Sequence, residues 1–347
     1  MDKKMLLIDA YAQIFRGFYA LPLMTNSKGE YTNAIFAFSR FLLQMEKAES
    51  PRYGAVVFDL GRCVKRLEIH PEYKANRSPT PEELKVQVPG IRKMITAFGF
   101  PILESEGIEA DDLIAVLAAN FANFKVGVVS ADKDLAQMVD ERVEMLIPQG
   151  KGKGFAKMGI AEVVAKFAVQ PNQIVDYLSL IGDSSDNIPG VPGVGPKTAA
   201  KLLAAHNSID AMLANTDAIK NEKLRAKIAD ASEILKKNIK LIKLDTTSPD
   251  ASWSLEDKIK RTKPDWNEIA KLADNYELKG FKKDLNAFME ELKEPITESS
   301  KADNNKENES EMLQDDLFAT PSPQNEVSKQ ENTKKKTEEF FTPDLFE

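Results

Sequence analysis

Nine acidic residues fall in tight groups or at the ends of apolar runs. Glu109-Ala110-Asp111-Asp112 opens a helical pattern, Asp132-Lys133-Asp134 closes an apolar run, and Asp183-Ser184-Ser185-Asp186 sits in a segment of loop character. Asp9 and Asp59 end two further apolar runs. Like charges packed this densely repel and raise one another's pKa. A fold gathers them readily if cations bind among them. Two Mg²⁺ ions about 4 Å apart can hold both the attacking and the leaving oxygen of a phosphodiester displacement. Mg²⁺ takes few protein ligands and keeps several waters, so some of these acids would act through water. Each acid alone has an ordinary explanation, as a first-turn cap or a turn residue. The whole set points to a metal centre.

The elements that must position these acids follow from the apolar pattern. Met5-Leu6-Leu7-Ile8-Asp9, Ala55-Val56-Val57-Phe58-Asp59 and the run from Val126 to Asp132 are apolar runs that contain β-branched Val or Ile. Such runs suit strands buried on both faces of a parallel sheet. Helical patterns lie between them, at 34–45 and 113–121. Alternating strands and helices predict an α/β domain whose ligand site lies at the carboxyl ends of the strands. The three strand-end aspartates would meet there. Placing Glu109, Asp111 and Asp112 in a first helical turn lets the helix dipole favour their ionised forms. A turn-like Lys151-Gly152-Lys153-Gly154 follows. The rest reads as helices at 160–167, 171–181, 196–205, 221–245 and 265–291.

Composition narrows the chemistry. The chain has one cysteine, Cys63, and two histidines. That excludes a disulfide framework and most Zn sites. Any metal must use carboxylate oxygens, which points to Mg²⁺, with Mn²⁺ able to substitute. No apolar run reaches membrane-spanning length, and the apolar stretch before Asp9 is too short for a signal-peptide core. A cytoplasmic location and no membrane partner are expected. Residues 296–347 hold 13 Asp/Glu against six Lys/Arg, which accounts for the whole net charge of −7. The remainder is neutral, so a surface around nine clustered acids must be basic on balance.

Two segments fit nucleic acid. Arg62, Lys65, Arg66, Lys74 and Arg77 follow Asp59 closely, with Tyr73 among them. Cations beside a metal site fit phosphate clamping and charge relief, and Tyr73 offers a ring for an unpaired base. Further on, Gly190-Val191-Pro192-Gly193-Val194-Gly195-Pro196-Lys197-Thr198 leads into a helix. Glycines there let backbone N–H groups approach a phosphate at the helix start, with Pro196 at the first position. No strand precedes it and Pro196 separates Gly195 from Lys197, so it is not an NTP-binding loop. It reads as a helix-hairpin-helix element that holds duplex backbone without reading sequence.

With these pieces in place, residues 1 to about 290 resemble the 5′-nuclease domain of bacterial DNA polymerase I, a relative of the flap endonucleases. The resemblance rests on Leu7-Ile8-Asp9, Phe58-Asp59, Pro71 through Arg77 (PEYKANR), Glu109-Ala110-Asp111-Asp112, Ser130 through Asp134 (SADKD), and Gly182 through Thr198 (GDSSDNIPGVPGVGPKT). It implies a PIN-like α/β nuclease core over 1–158, with an arch at about 62–90 that admits a single-stranded 5′ end. A helical duplex-binding module with packing helices over 159–293 follows, then a disordered acidic tail over 294–347. It implies metal ligands at Asp9, Asp59, Glu109, Asp111, Asp112, Asp132, Asp134, Asp183 and Asp186. Phosphate and transition-state contacts would fall on Arg16, Arg66, Tyr73, Lys74 and Arg77. Gly190, Gly193, Gly195, Lys197 and Thr198 would hold the duplex, and in this family the hairpin often binds K⁺. Lys65 and Pro196 stand where the family usually has Phe and Glu, and a short tail is expected in place of the family's polymerase.

The tail carries two apolar islands, Gln314-Asp315-Asp316-Leu317-Phe318 and Thr342-Pro343-Asp344-Leu345-Phe346. The first resembles the bacterial sliding-clamp pentapeptide, and Leu345 and Phe346 repeat its apolar pair. The expectation is therefore a monomeric, bacterial, nucleoid-associated 5′→3′ exonuclease and flap endonuclease. Its substrate would be DNA with a free 5′ end or flap, including RNA-primed strands, in replication and repair. A nuclease-dead scaffold would gain nothing from a repulsive acid cluster, and a ribonuclease for free single strands would not need a duplex module.

Overall fold

The computed structural model describes residues 3–149, 154–247 and 251–293. Six strands form one sheet: β1 (Lys3–Asp9), β2 (Tyr53–Val57), β3 (Ile102–Leu103), β4 (Phe124–Val129), β5 (Val143–Pro148) and β6 (Phe155–Met158). Their order is β3-β2-β1-β4-β5-β6, parallel except for the antiparallel edge strand β6. Strand order reverses between β1 and β4, and the crevice outside such a reversal is where open α/β sheets bind ligands. Asp9 ends β1 there, and Asp132 follows β4.

Both faces of the sheet are covered, which explains the unbroken apolar runs. Along β1, Met5 and Leu7 enter one core while Leu6 and Ile8 enter the other, as a period of two requires. Helices α1 (Ala10–Ala20) and α2 (Asn33–Glu49) cover the second face. Next come α3 (Val64–Ile69), α4 (Glu82–Lys85), α5 (Val88–Ala97) and α6 (Ala110–Asn120), of which α5 joins the second core and α6 the first.

The helical part comprises α7 (Ile160–Phe167), α8 (Ile174–Ile181), α9 (Pro196–His206), α10 (Ile209–Ala214), α11 (Glu222–Asp230) and α12 (Ser232–Ile242). A two-stranded ribbon, β7 (Gly182–Asp183) and β8 (Ile188–Pro189), interrupts it. These helices share the first core with α6. The chain then returns to the opposite face, where α13 (Trp266–Asn275) and α14 (Lys279–Glu291) pack against α2 and α5. None of the described helices is long and apolar enough to cross a membrane.

Several sequence expectations need correction. Helix 221–245 is two helices with Ala231 between them, and 265–291 breaks at a turn where Glu277 takes φ 55°. The apolar periodicity runs through both breaks, so the sequence hid them. Strands β3, β5 and β6 were not anticipated. Strands β2 and β4 end at Val57 and Val129, so Asp59 and Asp132 lie just beyond them. The 62–90 segment is α3, a run of turns, α4 and the start of α5. It lies against the 183–187 loop: the Lys74 N–H donates to Asp186 O (3.1 Å) and Asn187 Nδ2 to Glu72 O (2.8 Å).

Candidate metal centre and nucleic-acid interface

The nine acids divide into two groups by their partners. Asp9 caps α1, accepting from Ala12 N (3.1 Å) and from the Ser130 hydroxyl (3.0 Å). Asp59 reaches across to the start of α6, accepting from Ala110 N (2.9 Å). Asp132 accepts from Asp134 N (2.9 Å). Burial and repulsion by Asp59 push the Asp9 carboxyl up to about 7. Burial, then Asp132, Asp9 and Asp59, raise Asp111 well above the carboxylate range. Burial also raises Asp59 and Asp132, and burial with Asp132 and Asp186 raises Asp134. Asp134 Oδ1 is buried without a hydrogen-bond partner among the described residues.

The other acids already hold a cation. Lys74 Nζ lies 2.5 Å from Glu109 Oε1 and 4.0 Å from Asp186 Oδ2, and Arg77 Nη2 donates to Asp186 Oδ1 (2.5 Å). Burial alone would raise Glu109 and Asp186. Lys74 and Arg66 outweigh it at Glu109, and Lys74 and Arg77 at Asp186, so both are held below the usual range. Asp183 is paired with Lys133 Nζ (3.0 Å).

The donor set fits hard divalent cations. It is carboxylate-only, it straddles the strand reversal, and five of its members are raised by burial and mutual repulsion that a cation would relieve. Carboxylate oxygens of Asp134, Asp183 and Asp186 all lie within 4.8 Å of one another. Asp112 is the exception. Its two oxygens receive Arg66 Nη1 (2.5 Å) and Nη2 (2.8 Å), and Oδ1 also accepts from Asp245 N (2.9 Å). Its carboxylate faces Arg66, and with Cys63 and Glu109 it forms a second set of potential ligand atoms within 4.8 Å of one another.

Two residues expected to touch DNA are inside the protein. Arg66 is 6% exposed and donates to Asp112, Glu109 and Leu241 O. It braces α3 against α6 and α12, with no donor fork left for phosphate. Tyr73 is 8% exposed, its hydroxyl 3.2 Å from Glu109 and 3.0 Å from Asp186. A buried ring cannot serve as a stacking platform. Lys74 and Arg77 face the carboxylates, and Arg16 is half-buried on α1. Lys65 is exposed and bonded to Asp245 (2.8 Å).

In the hairpin the glycines have different jobs. A Cβ on Gly190 would meet Ile181 O at 2.3 Å, so Gly190 serves close packing against Ile181–Gly182. Gly193 takes φ +81°. Gly195 caps α9 with open space where its Cβ would be. Pro196 is the first residue of α9; Lys197 is exposed and Thr198 partly so.

Sequence reasoning passed over Lys133, although it lies between two of the acids. It also missed His70, whose Nε2 lies 2.9 Å from Asn187 O and whose Nδ1 is 3.0 Å from Lys237 Nζ. Nothing in the sequence pairs residues so far apart. The tail residues Gln314, Leu317, Phe318, Leu345 and Phe346 lie outside the described residues.

Comparison with known proteins agrees with this architecture. Residues 4–168 match the 5′-3′ exonuclease N-terminal resolvase-like domain and 169–267 the 5′-3′ exonuclease C-terminal SAM fold. A 5′-3′ exonuclease of Aquifex aeolicus is 42% identical over 286 residues, 82% of this chain and 95% of that protein. DNA polymerase I of Bacillus caldotenax is 38% identical over 304 residues, 87% of this chain but only 34% of the polymerase. Among solved structures, the bacteriophage T5 flap endonuclease in a pseudo-enzyme–product complex with DNA and metal ions has a TM-score of 0.57 at 21% identity. That match covers 83% of this chain and 100% of the phage chain. The catalytic core of Rad2 in complex with DNA substrate has a TM-score of 0.53 at 14% identity, over 79% and 88%. With a carboxylate centre at the strand reversal, a helical module beside it and a relative matched over nearly its whole length, the chain belongs to the 5′-3′ exonuclease family.

Proposed function

We propose that this chain hydrolyses DNA phosphodiesters near a free 5′ end or at a 5′ flap, using two or more Mg²⁺ ions. The observation that carries the reading is the group Asp9, Asp59, Asp111, Asp132 and Asp134. Their pKa values are raised, and they stand where the sheet order reverses. With Glu109, Asp183 and Asp186 they would hold the ions; Mn²⁺ offers the same oxygen chemistry. Bound there, divalent ions supply Lewis acidity toward the phosphate and a lower pKa for water.

The chain's own residues do the rest. Lys74 and Arg77 are cations at the carboxylate edge and would offset charge gathering on the phosphate oxygens. Water attacks phosphorus, the P–O3′ bond breaks, and the products are a 5′-phosphate and a 3′-hydroxyl. The Gly193–Lys197 turn, exposed at Gly193, Pro196 and Lys197, would hold duplex backbone, with K⁺ as a further ligand there. Segment 62–90 would pass the single-stranded end, and Gln314, Leu317, Phe318, Leu345 and Phe346 would anchor a sliding clamp. Removal of flaps and RNA primers is the matching task, the chain acting as a monomer in the bacterial cytoplasm.

The test is substrate geometry. A labelled 5′ flap should be cut near its junction in Mg²⁺, and a bulky block on the 5′ end should slow cutting. Equal cutting of blocked, flapped and fully single-stranded DNA would contradict the reading.

A further inference from the structure

Residues 190–243 hold ten Lys/Arg against five Asp/Glu, a local excess of positive charge in a chain whose folded part is neutral. One of these cations is placed by the structure with unusual definition. Helix α11 is capped by Asn221, which accepts from Leu224 N (3.0 Å), and is pinned by the fully buried Ile228. The neighbouring Lys227 therefore leaves the helix in a fixed direction. Its ammonium donates to Pro192 O in the hairpin (2.9 Å). It also lies 2.8 Å from where a Cβ on Gly193 would stand. Gly193 is required by its φ of +81°, and the ammonium occupies the space above it.

The position has an electrostatic consequence. A tight turn that leads into a helix offers N–H groups to an anion at the helix start, but its apex also turns a carbonyl outward. The partial negative charge on the Pro192 oxygen repels phosphate. An ammonium on that oxygen reverses the local sign. Pro192, Gly193 and Lys227 are all exposed, and the carbonyl engages one of three N–H bonds of the lysine.

We propose that Lys227 is a phosphate-contacting residue of the hairpin, preset by Pro192 O to meet the backbone of duplex DNA at a distance from the carboxylate centre. This rests on the duplex-holding reading of the hairpin given above and adds a residue from a different helix to it. The contact neutralises one phosphate and reads no base.

The experiment measures the affinity of the full chain for a 5′-flap duplex in EDTA across a salt series, for wild type, Lys227→Gln and Lys227→Arg. Lys271→Gln, an exposed lysine on α13, controls for loss of a charge elsewhere. Each phosphate contact contributes about 0.9 to the slope of log affinity against log salt. Lys227→Gln keeps an N–H donor for the Pro192 carbonyl but loses the charge, so its slope should fall by about 0.9. Lys227→Arg should restore it, and Lys271→Gln should match wild type. In Mg²⁺ the Gln variant should raise KM with kcat unchanged, and the effect should vanish on substrates whose duplex is too short to reach the hairpin. Unfolding temperatures of the variants report whether the turn stays folded. A Gln variant with the wild-type slope and KM would show that Lys227 only pins the turn and would overturn the proposal. Failure of wild type itself to bind duplex would instead remove the hairpin reading, and this contact with it.

Discussion

Arg66 Nη2 donates to Asp112 Oδ1 at 2.8 Å, with both side chains buried. Arg66 Nη1 also donates to Glu109, so the buried guanidinium ties Asp112 to Glu109. Breaking a buried ion pair by removing one partner costs about 3–5 kcal/mol. The Asp112→Asn variant should therefore lose substantial stability in urea unfolding yet keep the wild-type number of bound Mn²⁺ ions in calorimetric titration. Asp134→Asn should do the reverse, losing ion binding with little loss of stability. Loss of an ion from Asp112→Asn would return Asp112 to the ligand set.

The raised carboxyls give the metal-free protein a pH dependence of definite sign. A group whose pKa is higher when folded binds more protons in the folded state, so stability falls as pH rises from the unfolded value to the folded one. For Asp9 that window runs from 3.8 to about 7. Asp59, Asp111, Asp132 and Asp134 act in the same direction. Glu109 and Asp186 are lowered, and their contribution is lost only as pH falls below their unfolded values. Calorimetry in EDTA should show Asp9→Asn with a Tm raised by roughly 5 °C at about pH 7.5, by less than half as much at about pH 5, and nearly unchanged at about pH 4. A lower Tm for that variant at the higher pH would refute the repulsive-cluster account.

Tyr73 bonds to both Glu109 and Asp186 from inside the protein. Tyr73→Phe should cost about 1–3 kcal/mol in equilibrium unfolding, because it leaves buried acceptors short of a donor. Affinity for single-stranded DNA should stay within about twofold, since removing a stacked ring costs about 1–3 kcal/mol per base and this ring is not exposed to a base. A large drop in single-strand affinity would mean that the ring leaves its pocket.

What could be read from the sequence depended on whether the signal was local. Asp9 and Asp59 were found because an apolar run ends at each, and the Gly193–Pro196 turn because glycine and proline punctuate a helix start. The partition of the acids was not legible, since it depends on which carboxylates meet Lys74, Arg77 or Arg66 across the fold. Asp111 and Asp112 adjoin in sequence, yet one faces other carboxylates and the other a buried guanidinium. Arg66 and Tyr73 were placed on DNA because charge and aromaticity look alike on a surface and in a core. Only the partners Leu241 and Asp186, contributed by distant elements, show that they are internal. The breaks at Ala231 and Glu277 escaped because amphipathic periodicity continues across them.

The most direct test of the carboxylate centre is cleavage of a 5′-flap duplex in Mg²⁺ by wild type and by Asp132→Asn. The variant should bind the flap with affinity near that of wild type, and its cutting should fall by at least about a hundredfold. Unchanged cutting by Asp132→Asn, or binding without any cutting by wild type in Mg²⁺ or Mn²⁺, would contradict the account.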